Sequence, residues 1–181
     1  VSSEWKHINM TTLKAGIGKR VITPRVGAKL IGFFNRPSVS TGVHDDLHVR
    51  AIVLSNESIS IALCSVELLW LWSTKIEEIR NAVAAQCSLK PENILIFCTH
   101  THSGPSPFNT DDWETPLTNL IADTIVQAYQ SQQSAQLNFG FGQLFSYNIN
   151  RRWLNRPADP SVAVLRVDTL DGKPLALLGN Y

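Results

Sequence analysis

The chain has 181 residues, enough for one substantial hydrophobic core and short for two. Its 16 lysines and arginines nearly balance its 15 aspartates and glutamates, so the total charge carries no footprint for nucleic acid or an anionic membrane. No run approaches the ~20 apolar residues of a membrane span, and no basic head followed by an apolar core marks a signal peptide.

Three cysteines, Cys64, Cys87 and Cys98, show no zinc-ribbon spacing, and an odd number cannot all pair within one chain. Cys64 and Cys98 fall in apolar strands and read as buried free thiols. Residues 1–12 read as an N-terminal arm or tag, with the methionine at Met10, and residues 13–181 as a single α/β domain.

The first expected strand runs from Leu13 to Thr23 and is closed by Pro24. Its Gly16-Ile17-Gly18-Lys19 lacks the remaining spacing of a phosphate-binding loop, so the glycines read as sites of close backbone packing. Pro24 to Gly42 is rich in Gly, Pro, Asn and Ser and contains Phe33-Phe34-Asn35-Arg36-Pro37. It is an irregular loop longer than the usual connection, of the kind that often serves a site. His48 to Leu54 and Ile59 to Val66 form a hairpin around Asn56-Glu57-Ser58. The return strand is apolar on both faces, which places it centrally in its sheet. Glu67 at its tip, among apolar neighbours, is either exposed or buried with a partner.

Ile76, Ile79 and Val83 repeat at helical spacing, and Thr74 with Glu77 spells a capping box, so a helix is expected from about Ser73 to Gln86. A strand from Ile94 to Phe97 follows. Strand, helix and strand in that order predict a parallel crossover unit, whose two strand tips, carrying Glu67 and His100, share the carboxyl edge of the sheet. Open α/β sheets bind ligands at that edge. After a polar loop with Asp111-Asp112-Trp113, Thr115 and Pro116 suit the N-cap and first position of a second helix, with Leu117, Leu120, Ile121, Ile125 and Ala128 on its apolar face. Leu137 to Gln143 alternates as a strand. A loop from Tyr147 to Trp153 follows, and Val162 to Val167 with Leu175 to Leu178 close the chain as a hairpin. The expected fold is α/β, a mixed sheet with helices packed on it and a parallel crossover leading to the histidine tip.

The chemistry concentrates at Cys98-Thr99-His100-Thr101-His102-Ser103-Gly104-Pro105. If the extended backbone persists, His100 and His102 point to one side of the strand end. Neutral imidazoles are common zinc ligands, and zinc would supply hydroxide near neutral pH, but a catalytic zinc takes three protein ligands and this pair supplies two at most. A serine nucleophile, Ser103 with His102 as base, is the rival reading, and two hydrogen-bonded surface imidazoles the bland one. His44, Asp45, Asp46 and His48 form a second polar cluster, equally a turn or part of a site. Arg151 and Arg152 lie in an aromatic loop, suited to surface ion pairs or to an oxyanion.

Ala15-Gly16-Ile17-Gly18-Lys19-Arg20-Val21-Ile22-Thr23-Pro24, Thr41-Gly42-Val43-His44-Asp45, Arg50-Ala51-Ile52-Val53-Leu54 and above all Thr99-His100-Thr101-His102-Ser103-Gly104-Pro105 resemble segments of the neutral, non-lysosomal ceramidases. Asn150-Arg151-Arg152 and Val164-Leu165-Arg166-Val167-Asp168 follow in matching order. The resemblance spans about Leu13 to Tyr181. It implies a zinc-dependent amidohydrolase that cleaves the N-acyl amide of ceramide to sphingosine and fatty acid, with zinc-bound water attacking the carbonyl. It further implies His100 as zinc ligand, His102 beside the metal as a group for substrate or intermediate, and Arg151, with Arg152 as the alternative, as a site arginine. The implied substrate is a lipid-like N-acyl amide.

The family's second zinc histidine follows a segment like Gly179-Asn180-Tyr181, and its remaining zinc glutamate and tyrosine and its site serine come later still. Neither Ser103 nor Glu67 matches them, so the remaining part of the catalytic domain is expected beyond Tyr181. Two alternatives stand beside this reading. One is an incomplete ceramidase-like fragment serving as a binding or assembly module. The other is a hydrolase of a different amide or an ester.

Overall fold

The computed structural model describes residues 6–8, 12–34, 39–107 and 112–181, residues 6–8 by their backbone. The expectations that fall on Asn35-Arg36-Pro37 and on Asp111 lie outside the described residues. The chain divides into two compact units, one formed by Lys14–Gln133 and the other by residues 134–181 with the described residues that precede Lys14.

Four strands form the sheet of the first unit. They are β2 (Lys14–Val21), β3 (His48–Ser55), β4 (Ser60–Val66) and β5 (Ile94–Cys98). β2 pairs antiparallel with β3, β3 antiparallel with β4, and β4 parallel with β5. The expected hairpin and crossover are both present, and β4 is flanked on both sides as its two apolar faces require. Between β4 and β5 runs α1 (Ser73–Ala84), and α2 (Leu117–Gln130) follows β5. This is a mixed α/β sheet with helices packed on it, as expected.

One face of the sheet is built from register-matched residues: Val49, Ala51 and Val53 of β3, Ala62, Cys64 and Val66 of β4, and Ile94 and Ile96 of β5. These pack with Ile79 and Val83 of α1 and Ile121, Ala122, Ile125, Val126 and Ala128 of α2 in one buried cluster. The helical and strand periodicities in the sequence predict this core, because each sets which side chains share a face. Gly16 and Gly18 let α2 lie directly on β2. A Cβ at Gly16 would stand 2.0 Å from the Ala128 carbonyl oxygen, and one at Gly18 2.2 Å from that of Thr124. The glycines are packing sites, as their spacing suggested.

The first helix starts where expected, but its capping differs, and the second helix starts one residue late. α1 begins at Ser73 with Trp72 at its N-cap and no side-chain cap bond, so Thr74 lies inside the helix and the capping box with Glu77 does not form. α2 begins at Leu117 with Pro116 at the N-cap, one residue later than Thr115 and Pro116 were placed. The indole of Trp113 donates to the Ile22 carbonyl at 2.9 Å and ties the entry of α2 to the end of β2.

The second unit contains β1 (Lys6–Ile8), β6 (Gln133–Gln143), β7 (Ser161–Thr169) and β8 (Pro174–Asn180). β6, β7 and β8 form an antiparallel meander, and β1 pairs antiparallel with β6 from Lys6 opposite Phe139 to Ile8 opposite Leu137. The final hairpin turns at Gly172, whose φ of 84° is open to a residue without Cβ. Among the described residues no helix is long and apolar enough to cross a membrane.

Candidate functional site

Topology gathers the polar residues of the first unit. β2 and the parallel pair β4 and β5 all end at one edge, where antiparallel β3 begins. That edge therefore collects Thr23, the segment His44 to Arg50, Glu67 and the histidine tip. A cleft of about 800 Å³ opens there, lined by Thr23, His48, Arg50, Glu67, Thr101 and Ser103 among others.

β5 stops at Cys98, and the tip is held by the end of β4. Thr99 N–H donates to the Val66 carbonyl and His100 N–H to that of Leu68, each at 3.0 Å. His100 then adopts φ of 60°, so the strand alternation expected through Thr101 does not persist. The two imidazoles meet all the same, with ring centroids 5.1 Å apart at 69°. A turn in the left-handed region, not an extended backbone, brings them together. The His100 ring nitrogen Nδ1 lies 3.0 Å from the Leu69 carbonyl oxygen. A carbonyl can only accept, so Nδ1 donates, and in the neutral imidazole Nε2 keeps its lone pair. Anchoring one imidazole nitrogen on a carbonyl is how metal-binding histidines are commonly oriented.

His102 is held from the other side. Phe33 meets its ring edge-on, with centroids 5.1 Å apart. Gly32, at φ of 112°, comes so close that a Cβ there would stand 2.9 Å from the His102 Cβ and Cγ. The long loop after Pro24 is clipped to the tip through Ser106 N–H to the Lys29 carbonyl at 2.7 Å and Ile31 N–H to the Gly104 carbonyl at 3.3 Å. Thr101 and Ser103 line the cleft and the two histidines do not. Ser103 N–H donates to the Thr101 hydroxyl.

Glu67 falls between its two expected settings: it is half-buried, its side chain 26 % exposed, and it has partners. Its Oε2 accepts from the His48 backbone N–H at 2.7 Å, and its Oε1 accepts from the Arg50 guanidinium. The His48 ring nitrogen Nδ1 is 3.5 Å from Oε2 and makes no hydrogen bond, so that contact is electrostatic only. Burial would raise the Glu67 carboxyl, but the Arg50 hydrogen bond, the His48 N–H and the charges of both residues outweigh it and hold the carboxyl below its usual range. Arg50 is the residue that sequence reasoning missed. Its signal was the alternation of His48 and Arg50 along one face of β3.

The second polar cluster divides. His44 and Asp45 pair with each other in solvent, with side chains 97 % and 87 % exposed. Asp46 accepts from the Thr23 hydroxyl at 2.8 Å, and His48 joins Glu67. Cys64 and Cys98 face the core side of the sheet. Burial, with Cys98 nearby, pushes the Cys64 thiol up to about 12, and burial pushes Cys98 up to about 11. Both are free thiols, Cys64 buried as read from the sequence and Cys98 half-buried. Arg151 and Arg152 lie in the second unit, exposed in the loop between β6 and β7.

No group of three or more His, Cys, Asp or Glu side chains able to hold a metal occurs among the described residues. The donor set fits one zinc ligand, the His100 imidazole with Nε2 free, and does not by itself complete a zinc site.

An oriented imidazole pair lies at the carboxyl edge of a mixed α/β sheet, beside a cleft, which is the edge where open α/β sheets bind ligands. More particularly, the chain is similar in sequence and in fold to the neutral ceramidases. It is 26 % identical to neutral ceramidase B of Dictyostelium discoideum over 182 aligned positions, covering 84 % of this chain and 25 % of that protein. It is 24 % identical to neutral ceramidase A of the same organism, covering 97 % of this chain and 29 % of the relative. The fold matches the crystal structure of neutral ceramidase from Pseudomonas aeruginosa with a TM-score of 0.78 and 22 % identity, over 93 % of this chain and 31 % of that one. It also matches a ceramidase complexed with C2, with a TM-score of 0.74, 21 % identity and coverage of 93 % and 30 %. The chain thus spans less than a third of the length of each of these proteins. No protein-family profile matches it. The ceramidase resemblance read from the histidine tip and its flanking motifs is borne out.

Proposed function

We propose that this chain carries part of the active site of a zinc-dependent amidohydrolase of the ceramidase type, acting on a lipid-like N-acyl amide. The observation that carries the reading is the His100 imidazole, fixed through Nδ1 on the Leu69 carbonyl with Nε2 available, at a tip whose sequence resembles that of the ceramidases. His100 would hold the zinc, and the described residues offer no further set of ligands to complete its site. When bound, zinc supplies a Lewis acid that polarises the carbonyl and lowers the pKa of water. His102, packed between Phe33 and His100, orients the substrate amide or donates a hydrogen bond to the oxygen that gains charge. The resemblance implies Arg151, with Arg152 as its alternative, as a site arginine, a cation suited to developing negative charge. Gly32, without a Cβ, leaves the room that the His102 side chain occupies.

Metal analysis together with an N-acyl amide hydrolysis assay tests the reading. Wild-type protein is expected to hold zinc and to turn over ceramide, and His100→Ala to lose both. Absence of zinc together with undiminished hydrolysis in His100→Ala overturns it. Comparing ceramides with shorter N-acyl amides and esters decides the substrate class.

A second reading has its own observation. The sheet face of the first unit opposite the helices leaves Ile17, Ile61 and Leu95 exposed at 40 %, 37 % and 53 %, which suits an assembly module lacking a complete site. Stoichiometric zinc with turnover by residues 1–181 alone rules that reading out.

A further inference from the structure

The loop between β6 and β7 concentrates two kinds of side chain that the near-neutral total charge conceals. Between Leu144 and Arg156 six large apolar residues are exposed: Leu144 at 40 %, Phe145 at 63 %, Tyr147 at 77 %, Ile149 at 72 %, Trp153 at 53 % and Leu154 at 83 %. The same stretch carries Arg151, Arg152 and Arg156, all exposed, and no acidic residue before Asp159. Isolated exposed apolar residues need no explanation, but a cluster with this composition does.

The exposure is built into the loop. Its base is closed by Leu144 N–H donating to the Pro160 carbonyl at 2.8 Å and by the Asn148 amide donating to the Asp159 carbonyl at 2.7 Å. At its tip the Asn150 side-chain oxygen accepts from the Arg152 N–H at 3.2 Å and the Trp153 N–H at 3.0 Å. These bonds define a turn carrying Arg151, Arg152 and Trp153. The Arg156 guanidinium lies over the Trp153 ring, 5.2 Å from its centroid, so cation and aromatic face are presented as one unit.

We infer that this loop docks the protein on an anionic lipid–water interface. Trp and Tyr, with an apolar body and a polar tip, are suited to the depth of the lipid head groups, and leucine, isoleucine and phenylalanine to the acyl boundary below it. Arginines on the same loop meet the lipid phosphates, and the lack of carboxylates removes the repulsion that an acidic neighbour would add. The positive charge favours an anionic lipid surface over a neutral one. The density of aromatic and aliphatic side chains favours lipid over a polyanion that offers only charge. The inference shares Arg151 and Arg152 with the hydrolase reading but concerns adsorption and not turnover, so sedimentation tests it whatever the hydrolysis assay returns.

The test is sedimentation of the purified protein with sonicated vesicles, of phosphatidylcholine alone or with about 30 % phosphatidylserine, at low salt and at about 0.5 M salt. Binding to the anionic vesicles is expected to exceed that to neutral ones by about tenfold or more and to weaken with salt. The double variant Arg152→Gln/Arg156→Gln is expected to bind roughly 30-fold more weakly, from about 1 kcal/mol per basic side chain near an anionic surface. Trp153→Ala/Leu154→Ser is expected to lose about tenfold through its apolar contribution. Lys75→Gln/Lys90→Gln, with the same charge removed elsewhere, should bind like wild type, and far-UV circular dichroism verifies the folding of each variant. The inference is overturned if wild type does not sediment with anionic vesicles, if it binds neutral vesicles equally well, or if the loop variants bind as wild type does. Equal affinity for heparin and for anionic vesicles, with Trp153→Ala/Leu154→Ser unimpaired, overturns it in favour of a polyanion site.

Discussion

Glu67 is where the stability of the first unit and the geometry of the candidate site meet. Its carboxylate ties the tip of β4 to β3 through His48 and Arg50, and the same β4 tip supplies the Leu68 and Leu69 carbonyls that hold His100. Glu67→Gln keeps the shape and an acceptor for the His48 N–H but removes the charge. Hydrogen bonds to charged groups are worth about 1.5–3 kcal/mol. The Arg50 side chain is 45 % exposed, and solvent screening discounts its share to within about 1 kcal/mol. A net loss of about 1–2 kcal/mol is expected, or a fall in Tm of roughly 3–6 °C for a chain of this size. The pH dependence separates this cause from simple repacking. Because the folded carboxyl lies below its ordinary value of 4.5, its contribution is full above that value and is lost as the pH falls through the lowered one. Urea unfolding of wild type and Glu67→Gln should therefore differ most near neutrality and converge in acid, where wild type is protonated too. A gap that stays constant between about pH 7 and about pH 3.5, or no gap at pH 7, would refute the clamp.

Two further outcomes check the core. Gly16→Ala places a Cβ 2.0 Å from the Ala128 carbonyl oxygen, where backbone and not a flexible side chain must yield, so α2 has to lift from β2. A loss of about 3 kcal/mol or more is expected in urea unfolding, and a change within about 0.5 kcal/mol would show that the helix is not seated on the glycine. Cys64 and Cys98, pushed up to about 12 and about 11, hold little thiolate near pH 8, and their labelling by a thiol reagent in the folded protein should be slower than in urea by on the order of a hundredfold or more. Rates within a factor of about ten of the unfolded chain would contradict their burial.

Much of this protein is written in local pattern. Alternation in His48 to Val66 and Ile94 to Cys98, and the 3.6-residue repeats of Ile76, Ile79 and Val83 and of Leu117 to Ala128, determine the strands, the helices and the faces they bury. The reason is that side-chain direction follows from backbone period alone. The order strand, helix, strand then places Glu67 and His100 at one sheet edge, and Thr99 to Pro105 carries the ceramidase resemblance without any structure. The helix caps were less legible. Thr74 and Thr115 have cap chemistry, yet Trp72 and Pro116 occupy the caps, because tertiary packing sets where each helix begins and a cap bond of about 1 kcal/mol is easily overridden.

The tertiary structure alone decided how the site residues are held. The φ of 60° at His100, the Leu69 carbonyl that accepts from its Nδ1, the Gly32 and Phe33 wall behind His102 and the Arg50 partner of Glu67 join residues 17 to about 70 positions apart. Such contacts depend on strand register and loop return. Those are properties of the assembled sheet, and no periodicity along the chain encodes them.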